Sequence, residues 1–475
     1  MHLNHPFSKR ALATITSLAL CASLVPSTAF ARPDAAKPKA AVRHQHAQPD
    51  RKVKNVIVLI SDGMGYAQLE AANLYGYGRR VAQSYERFPV RVGMSTFAHP
   101  SVGGAYDPSA AWASFDYVKN NPTDSAAAAS AMSTGIKTYN AGLGVDIDGL
   151  RAAHALEAAE ELGKATGVVS SVQISHATPA GFVAHNASRN NYEQIANEML
   201  HTSAVDVIMG AGNPFWTDSD TTRTPSASSY RFVGGQATWD GLVAGTVGGD
   251  ADGDGDSDAF KLVQTPAEFA ALTTGATPAR VVGIAQCAST LQQSRGGDTN
   301  ADPFVAQFNR NVPTLETMTK AALNVLDENP NGLFLMIEGG AVDWAGHANQ
   351  KGRIIEEQVD FNNSVDAVIE WVDENSNWGE TLVIVTGDHE TGYLTGPGSG
   401  STIAGPVWNP LANFGIGVAP GMQFNSGDHT NSLIPLFAKG SAARHLRAAA
   451  TGVDPVRGEY LDNTDIAKTV FATMK

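Results

Sequence analysis

The sequence predicts an α/β fold: a largely parallel central sheet with helices on both faces. Three observations predict it. Apolar runs such as Val56-Ile57-Val58-Leu59-Ile60, Leu333-Phe334-Leu335-Met336-Ile337 and Leu382-Val383-Ile384-Val385 are continuous rather than alternating, as in strands buried on both sides. Segments long enough for helical crossovers separate them, which parallel strands require. The chain has 475 residues, enough for a large core.

Residues 55–61 read as the first strand, ending at Ser61-Asp62-Gly63, with a helix after Gly65. A helix follows Asp124, because Pro122 marks a loop and the alanine run 126–129 is strongly helix-forming. Next come a helix over 152–162, a strand over 167–171, a helix over 191–200 and a strand over 205–209. Helix 313–328, strand 333–337, helix 353–374, strand 382–386, a short strand 433–438 and a helix from about 463 complete the alternation. Residues 212–310 break the rhythm with Gly, Ser, Thr and Asp, and read as an irregular insertion within a domain spanning 53–475. Inside it, Asp250 to Asp258 alternates aspartates with glycine turns. That pattern suits either Ca²⁺ or a solvated acidic turn; the EF-hand register fails because Lys261 stands at position twelve.

Lys9-Arg10, the apolar stretch 11–25 and Ala29-Phe30-Ala31 form an export-signal pattern over residues 1–31, followed by an Ala/Pro/Lys-rich linker over 32–52. The expected location is therefore periplasmic or secreted. Cys21 leaves with the signal, so Cys287 has no disulfide partner and reads as a buried small hydrophobe. The formal charge is −14, and −16 once Lys9 and Arg10 are removed (31 basic residues against 47 acidic). This balance argues against nucleic acid or an anionic membrane as partner. No stretch beyond the signal is long and apolar enough to cross a bilayer.

Chemistry-bearing residues recur at strand ends. Asp62 ends the first strand, Glu338 ends the run at 333–337 with Asp343 and His347 just beyond, Asp388-His389 ends the run at 382–386, and His429 lies in Ser426-Gly427-Asp428-His429-Thr430. Strand ends on one edge of an open α/β sheet face a common crevice, so these groups can converge. Carboxylates with imidazoles suit two or more divalent metals, and paired metals mostly serve phosphoryl chemistry. Asp343 and His347, four apart, share one side of a helix. In Thr123-Asp124-Ser125, Ser125 falls at a helix N-terminus, where free N–H groups favour an anion. The same residues also suit a plain helix cap. Arg189, after His176-Ala177-Thr178-Pro179, offers a planar fork for two phosphate oxygens, while His185 reads as structural.

With Thr-Asp-Ser-Ala-Ala-Ala-Ala at 123–129, Ser-Thr-Gly-Ile-Lys-Thr-Tyr-Asn at 133–140, His-Ala-Thr-Pro at 176–179, Glu338 to His347, Asp388-His389 and His429, the chain resembles the alkaline phosphatase family of bacterial type. The resemblance runs from about Val53 to the C-terminus, apart from much of 212–310. It implies an alkaline-phosphatase-like fold, hydrolysis of small phosphomonoesters, and a homodimer or monomer. It implies one Zn²⁺ on Asp343, His347 and His429, and a second on Asp62, Asp388 and His389 beside Ser125. A third ion, usually Mg²⁺, would sit on Asp62, Thr178 and Glu338. Ser125 would be the phosphorylated nucleophile, and Arg189, oriented by Asp124, the phosphoryl clamp.

Two positions depart from part of the family. His176 stands where some members carry aspartate at the third site, so Zn²⁺ or Co²⁺ would compete with Mg²⁺ there. Trp344 stands near the phosphate where others carry lysine or histidine, which implies looser retention of product phosphate. The short stretch between His389 and Ser426 leaves the extra subdomain of some animal members absent or reduced. The competing functions are a phosphodiesterase or sulfatase on the same scaffold, and an exported metal- or phosphate-binding protein without turnover.

Overall fold

The apolar run that begins at Asn55 forms the strand Asn55–Ser61, every residue of it buried, inside an eleven-stranded sheet. A computed structural model describes residues 53–251 and 255–474. The expected signal and linker lie outside these residues. From one edge the strand order is Gly452–Asp454, Gly458–Asp462, Val90–Ser95, Ile434–Lys439, Thr381–Thr386, Asn55–Ser61, Leu333–Gly339, Ala165–Gln173, Val207–Ala211, Val281–Ile284 and Lys261–Val263. Ile434–Lys439 and Gly452–Asp454 run against their neighbours; the other pairings are parallel.

Strand periodicity explains the helices on both faces. Val56, Val58 and Ile60 pack into one apolar cluster, with Ala126 and Ala129 of the helix Ser125–Thr134 and Ile466 and Val470 of the helix Thr464–Met474. Ile57 and Leu59 point the other way, into a cluster with Met318 and Ala322 of the helix Leu315–Leu326 and Phe361 and Val365 of the helix Lys351–Asn375. Residues 212–310 supply the two strands at one sheet edge, and Phe269, Val281 and Cys287 join the second cluster. Cys287 is buried and unpaired, and burial pushes its thiol well above the usual range. Among the described residues, no helix is long and apolar enough to cross a membrane.

The register places the chemistry. Asn55–Ser61 lies between Leu333–Gly339 and Thr381–Thr386, with Ile60 opposite both Glu338 and Thr386. Asp62, Glu338 and Asp388 therefore leave adjacent strands at nearly the same level. Gly63, at φ +83, permits the next approach: a Cβ there would lie 2.7 Å from the Cα of Asp343, at the start of the helix Ala341–His347.

The long helix Lys351–Asn375 anchors the segment that enters the cleft from residues 212–310. Buried Arg295 donates to Glu356 at 2.7 Å, and Glu356 also accepts from the Phe304 N–H at 2.6 Å. Neighbouring Glu357 is buried with Oε1 unpartnered, and burial, then Asp360 and Glu356, push its carboxyl up to about 8. A carboxylate whose folded pKa is raised stabilises the fold fully below its unfolded pKa of about 4.3 and loses that contribution as pH rises towards about 8. Glu357→Gln is therefore expected to flatten the decline in stability between pH 5 and 8.5. At the alkaline end it should gain on the order of 2 kcal/mol, measured by urea denaturation across pH. An unchanged pH profile would show that Glu357 is not the group that titrates.

Candidate functional site

The helix Ser125–Thr134 is capped by Asp124, whose Oδ1 accepts from the Ala127 N–H at 2.9 Å. The capping alternative therefore belongs to Asp124 and leaves the Ser125 hydroxyl free. Asp124 Oδ2 accepts from the Ala141 N–H at 3.0 Å and from Arg189 Nη1 at 3.1 Å, so one carboxylate both starts the helix and aims the guanidinium. Burial works against the charge of Arg189, but Asp124 outweighs it and raises the guanidinium pKa further. Ser125 is 2% exposed, and its Oγ lies 3.2 Å from His389 Nε2.

Two donor triads flank this hydroxyl. In the first, Asp343 Oδ1 lies 3.4 Å from His347 Nε2 and 3.4 Å from His429 Nε2, and the two Nε2 atoms are 3.0 Å apart. In the second, His389 Nε2 lies 3.1 Å from Asp388 Oδ2 and 3.6 Å from Asp62 Oδ1. Ligands of a tetrahedral ion with bonds of about 2.0–2.1 Å stand about 3.3 Å apart, which both triads approximate. The other ring nitrogens are occupied. His347 Nδ1 faces the Gly427 carbonyl at 2.8 Å, and His429 Nδ1 faces the Thr123 carbonyl at 2.8 Å. His389 Nδ1 faces Thr391 Oγ1 at 3.2 Å, a hydroxyl that itself donates to Asp343 Oδ1 at 2.5 Å. These contacts place a proton on Nδ1 of each ring and aim all three Nε2 atoms inward, where a bound cation would displace any second proton.

Thr178 Oγ1 donates to the other oxygen of Asp62, Oδ2, at 3.4 Å, and Glu338 accepts from Ser170 Oγ behind it. His176 lies at the cleft wall, its Nε2 3.5 Å from Arg189 Nη2 and its ring 5.7 Å from that of Trp344. Ser125, His176, Arg189, Asp343, Trp344, His347 and His429 line one cavity of about 640 Å³. The residues expected to hold cations and the phosphoryl group thus lie together at one end of the sheet.

The donor set fits divalent cations. Asp62 Oδ1, Asp388 Oδ2, Glu338 Oε1 and His176 Nδ1 are buried without hydrogen-bond partners, an arrangement that costs several kcal/mol unless a cation meets them. Left to themselves the carboxylates resist ionisation. Asp62 is pushed well up by burial, then by Asp388, Asp343 and Glu338. Glu338 rises to about 7 through burial, and Asp388 to about 6 through burial and then Asp343. Burial also opposes charge on Asp343, but the hydrogen bond and charge of His429 win and hold it far below the usual range. Two imidazoles with a carboxylate suit Zn²⁺, while carboxylates with a hydroxyl suit the harder Mg²⁺.

Several participants are not evident from the sequence reading. Gln293 and Ser294 line the same cavity and come from residues 212–310, held there through Arg295. Asp428 forms a further donor group with His347 and His429. Its signal was the repeated Asp-His dipeptide: in both Asp388-His389 and Asp428-His429 the histidine N–H donates to the preceding carboxylate at 2.8 Å. Thr391, at the end of a two-residue strand, and Ser170, inside the strand Ala165–Gln173, are ordinary hydroxyls with no sequence signal. In the acidic loop, Asp258 accepts from the Ala251 N–H and Asp250 from the Gly255 N–H, so both brace the turn, while residues 252–254 lie outside the described part.

The alkaline phosphatase family model matches residues 53–410. The chain belongs to the alkaline phosphatase family. Alkaline phosphatase 4 of Bacillus subtilis is 31% identical over 357 residues, covering 73% of this chain and 64% of that relative, so the chain spans a little under two thirds of its length. The alkaline phosphatase of Escherichia fergusonii is 30% identical over 417 residues, covering 84% of this chain and 83% of the relative. The solved alkaline phosphatase of the Antarctic bacterium TAB5, in a histidine-to-aspartate variant with Mg bound in the M3 site, superposes with a TM-score of 0.59. It is 25% identical, over 90% of this chain and 99% of that one. The large, mostly parallel sheet with helices on both faces is thus that of the family.

Proposed function

We propose that the protein is an alkaline phosphatase that hydrolyses phosphate monoesters through a phosphoserine intermediate, acting in the periplasm or outside the cell. The observation that carries this reading is the Ser125 hydroxyl, free of capping duty at a helix N-terminus and 3.2 Å from His389 Nε2, with Arg189 held beside it by Asp124. Two Zn²⁺ on Asp343/His347/His429 and Asp62/Asp388/His389, and Mg²⁺ on Asp62/Thr178/Glu338, would supply Lewis-acid charge and ease deprotonation of the serine.

Arg189 binds two non-bridging oxygens of the substrate and presents phosphorus to Ser125. The helix N-terminus supports the negative charge that gathers on those oxygens. Oγ forms a bond to phosphorus as the ester P–O bond breaks, and the alcohol departs with a proton. Water then attacks the phosphoserine from the opposite side, breaking the Oγ–P bond, releasing inorganic phosphate and restoring the hydroxyl. Recognition centres on the phosphoryl group, so small monoesters of varied leaving group are the expected substrate class. His176 adds a neutral, softer donor beside the third ion, which favours Zn²⁺ or Co²⁺ as competitors of Mg²⁺ there.

The deciding assay compares an aryl phosphate monoester with the matching diester: the monoester should turn over faster by orders of magnitude. A diester preference, or a sulfate-ester preference, would assign the site to another chemistry. Trp344 cannot add positive charge to the cleft. Trp344→Lys is therefore expected to lower the inhibition constant of inorganic phosphate roughly tenfold, the ~1–2 kcal/mol of a partly desolvated charge contact, and to slow release of product. An unchanged phosphate inhibition constant would rule out this role for position 344.

A further inference from the structure

A second group of metal-ligating side chains lies away from this cleft, at the start of the helix Ala155–Glu161. His154 is fully buried, and neither Nδ1 nor Nε2 has a hydrogen-bond partner. A neutral imidazole always carries one N–H and one lone pair, so a buried ring with no partners forfeits both interactions. Gaining a proton does not help: burial, then His185 and Arg151, hold this ring well below the usual histidine range. Its Nε2 is pressed against Gly144, where an added Cβ would come within 2.5 Å, and Gly144 sits at φ +58. The nitrogen left to act is Nδ1.

Nδ1 of His154 looks towards Glu157 Oε2 at 3.5 Å, and His185 Nε2 approaches the same oxygen at 3.6 Å. The Ala152 carbonyl oxygen lies 3.0 Å from His185 Nε2. These separations bracket the edge of about 3.3 Å expected between ligands of one tetrahedral Zn²⁺. The surroundings hold the donors in place. Glu157 Oε2 accepts from the His154 N–H at 2.8 Å, and Oε1 pairs with Arg151. Glu198 Oε1 accepts from the His185 N–H at 2.9 Å and lies 3.3 Å from His185 Nδ1. A carboxylate on Nδ1 directs the Nε2 lone pair inward, as in many zinc sites. An Nε2–H donated to the Ala152 carbonyl would account for the His185 ring but leave His154 unsatisfied; a cation at the shared point gives His154 Nδ1 a partner as well.

We propose that His154 Nδ1, Glu157 Oε2 and His185 Nε2, with the Ala152 carbonyl in reach, form a structural site for a divalent transition metal of Zn²⁺ type. Two imidazoles and one carboxylate are a zinc-like donor set. The ion would tie the first turn of the helix Ala155–Glu161 to the segment that runs from His185 to Arg189.

The test loads wild type, His185→Gln and His154→Phe with ZnCl₂, removes free ion by gel filtration and counts zinc per chain by plasma emission. Each variant should lose one equivalent and melt at a lower temperature than wild type in the loaded state, while keeping aryl phosphatase activity. Asp343→Ala serves as the reference for the cleft. Its zinc loss should add to that of His185→Gln in the double variant, so failure of either site is read separately. Equal zinc content in wild type and the folded variants would overturn the proposal. If the variants do not fold, a zinc-edge anomalous map of the wild-type crystal decides: a peak between the three donor atoms supports the site, and its absence refutes it.

Discussion

Ser125→Ala is expected to reduce phosphomonoester turnover by at least roughly 10³-fold while leaving the fold and metal content intact. The size follows from the role. Without Oγ no phosphoserine forms, and the residual rate comes only from water positioned by Arg189 and the charged surroundings. Stability should barely change because the helix cap is Asp124, and alanine at the first helical position has the better propensity. The measurement is steady-state turnover of an aryl phosphate paired with mass analysis of acid-quenched enzyme. Wild type should accumulate a phosphate adduct on the peptide containing Ser125, and the variant should not. Retained hydrolysis would remove Ser125 from the mechanism. Asp124→Ala would behave differently. It removes a cap worth about 1 kcal/mol and also frees Arg189, so both melting temperature and KM should move.

Much of this site was legible because its donors end apolar strands. Asp62, Glu338 and Asp388 could be aligned as three strand ends from sequence, and the sheet order makes those strands neighbours. The helix pair Asp343 and His347 followed from spacing alone, and the two rest 3.4 Å apart at their nearest donors. What was not legible follows a rule. The strand Val90–Ser95 is not legible in the sequence because Arg91 and Gly93 interrupt its apolar pattern. It is a strand only because Ile434–Lys439 and Gly458–Asp462 pair with it on either side. The short strands Lys261–Val263 and Val281–Ile284 likewise depend on the sheet edge that Val207–Ala211 offers them. Gln293 and Ser294 reach the cleft because Arg295 finds Glu356, a pairing 61 positions apart that no local pattern encodes. The hydroxyls of Thr391 and Ser170 matter through the groups they hold, and a threonine or serine within a strand gives no hint of that.

Stripping divalent ions with a chelator is expected to abolish activity and to lower the melting temperature by on the order of 10 °C, reversed by adding Zn²⁺ and Mg²⁺. An ion present at about a thousand times its dissociation constant adds about 4 kcal/mol, and the proposed reading places more than one ion in the cleft. The stripped protein must also live with what the cations compensated. Asp62, Asp388 and Glu338 are buried within one cluster, with Oδ1, Oδ2 and Oε1 respectively unpartnered. Burial and mutual repulsion push Asp388 up to about 6 and Glu338 up to about 7. Raised carboxylates give stability that is complete below their unfolded values near 4 and is lost as pH climbs through 6 and 7. The stripped protein should therefore lose stability from pH 5 to pH 8. The loaded protein should gain over the same range, because protons compete with cations for the same oxygens and nitrogens. Melting temperatures of both forms between pH 5 and pH 8.5 would test the opposite slopes. Parallel curves would mean that these carboxylates are not the cation ligands, and the metal-dependent reading of the cleft would fall with them.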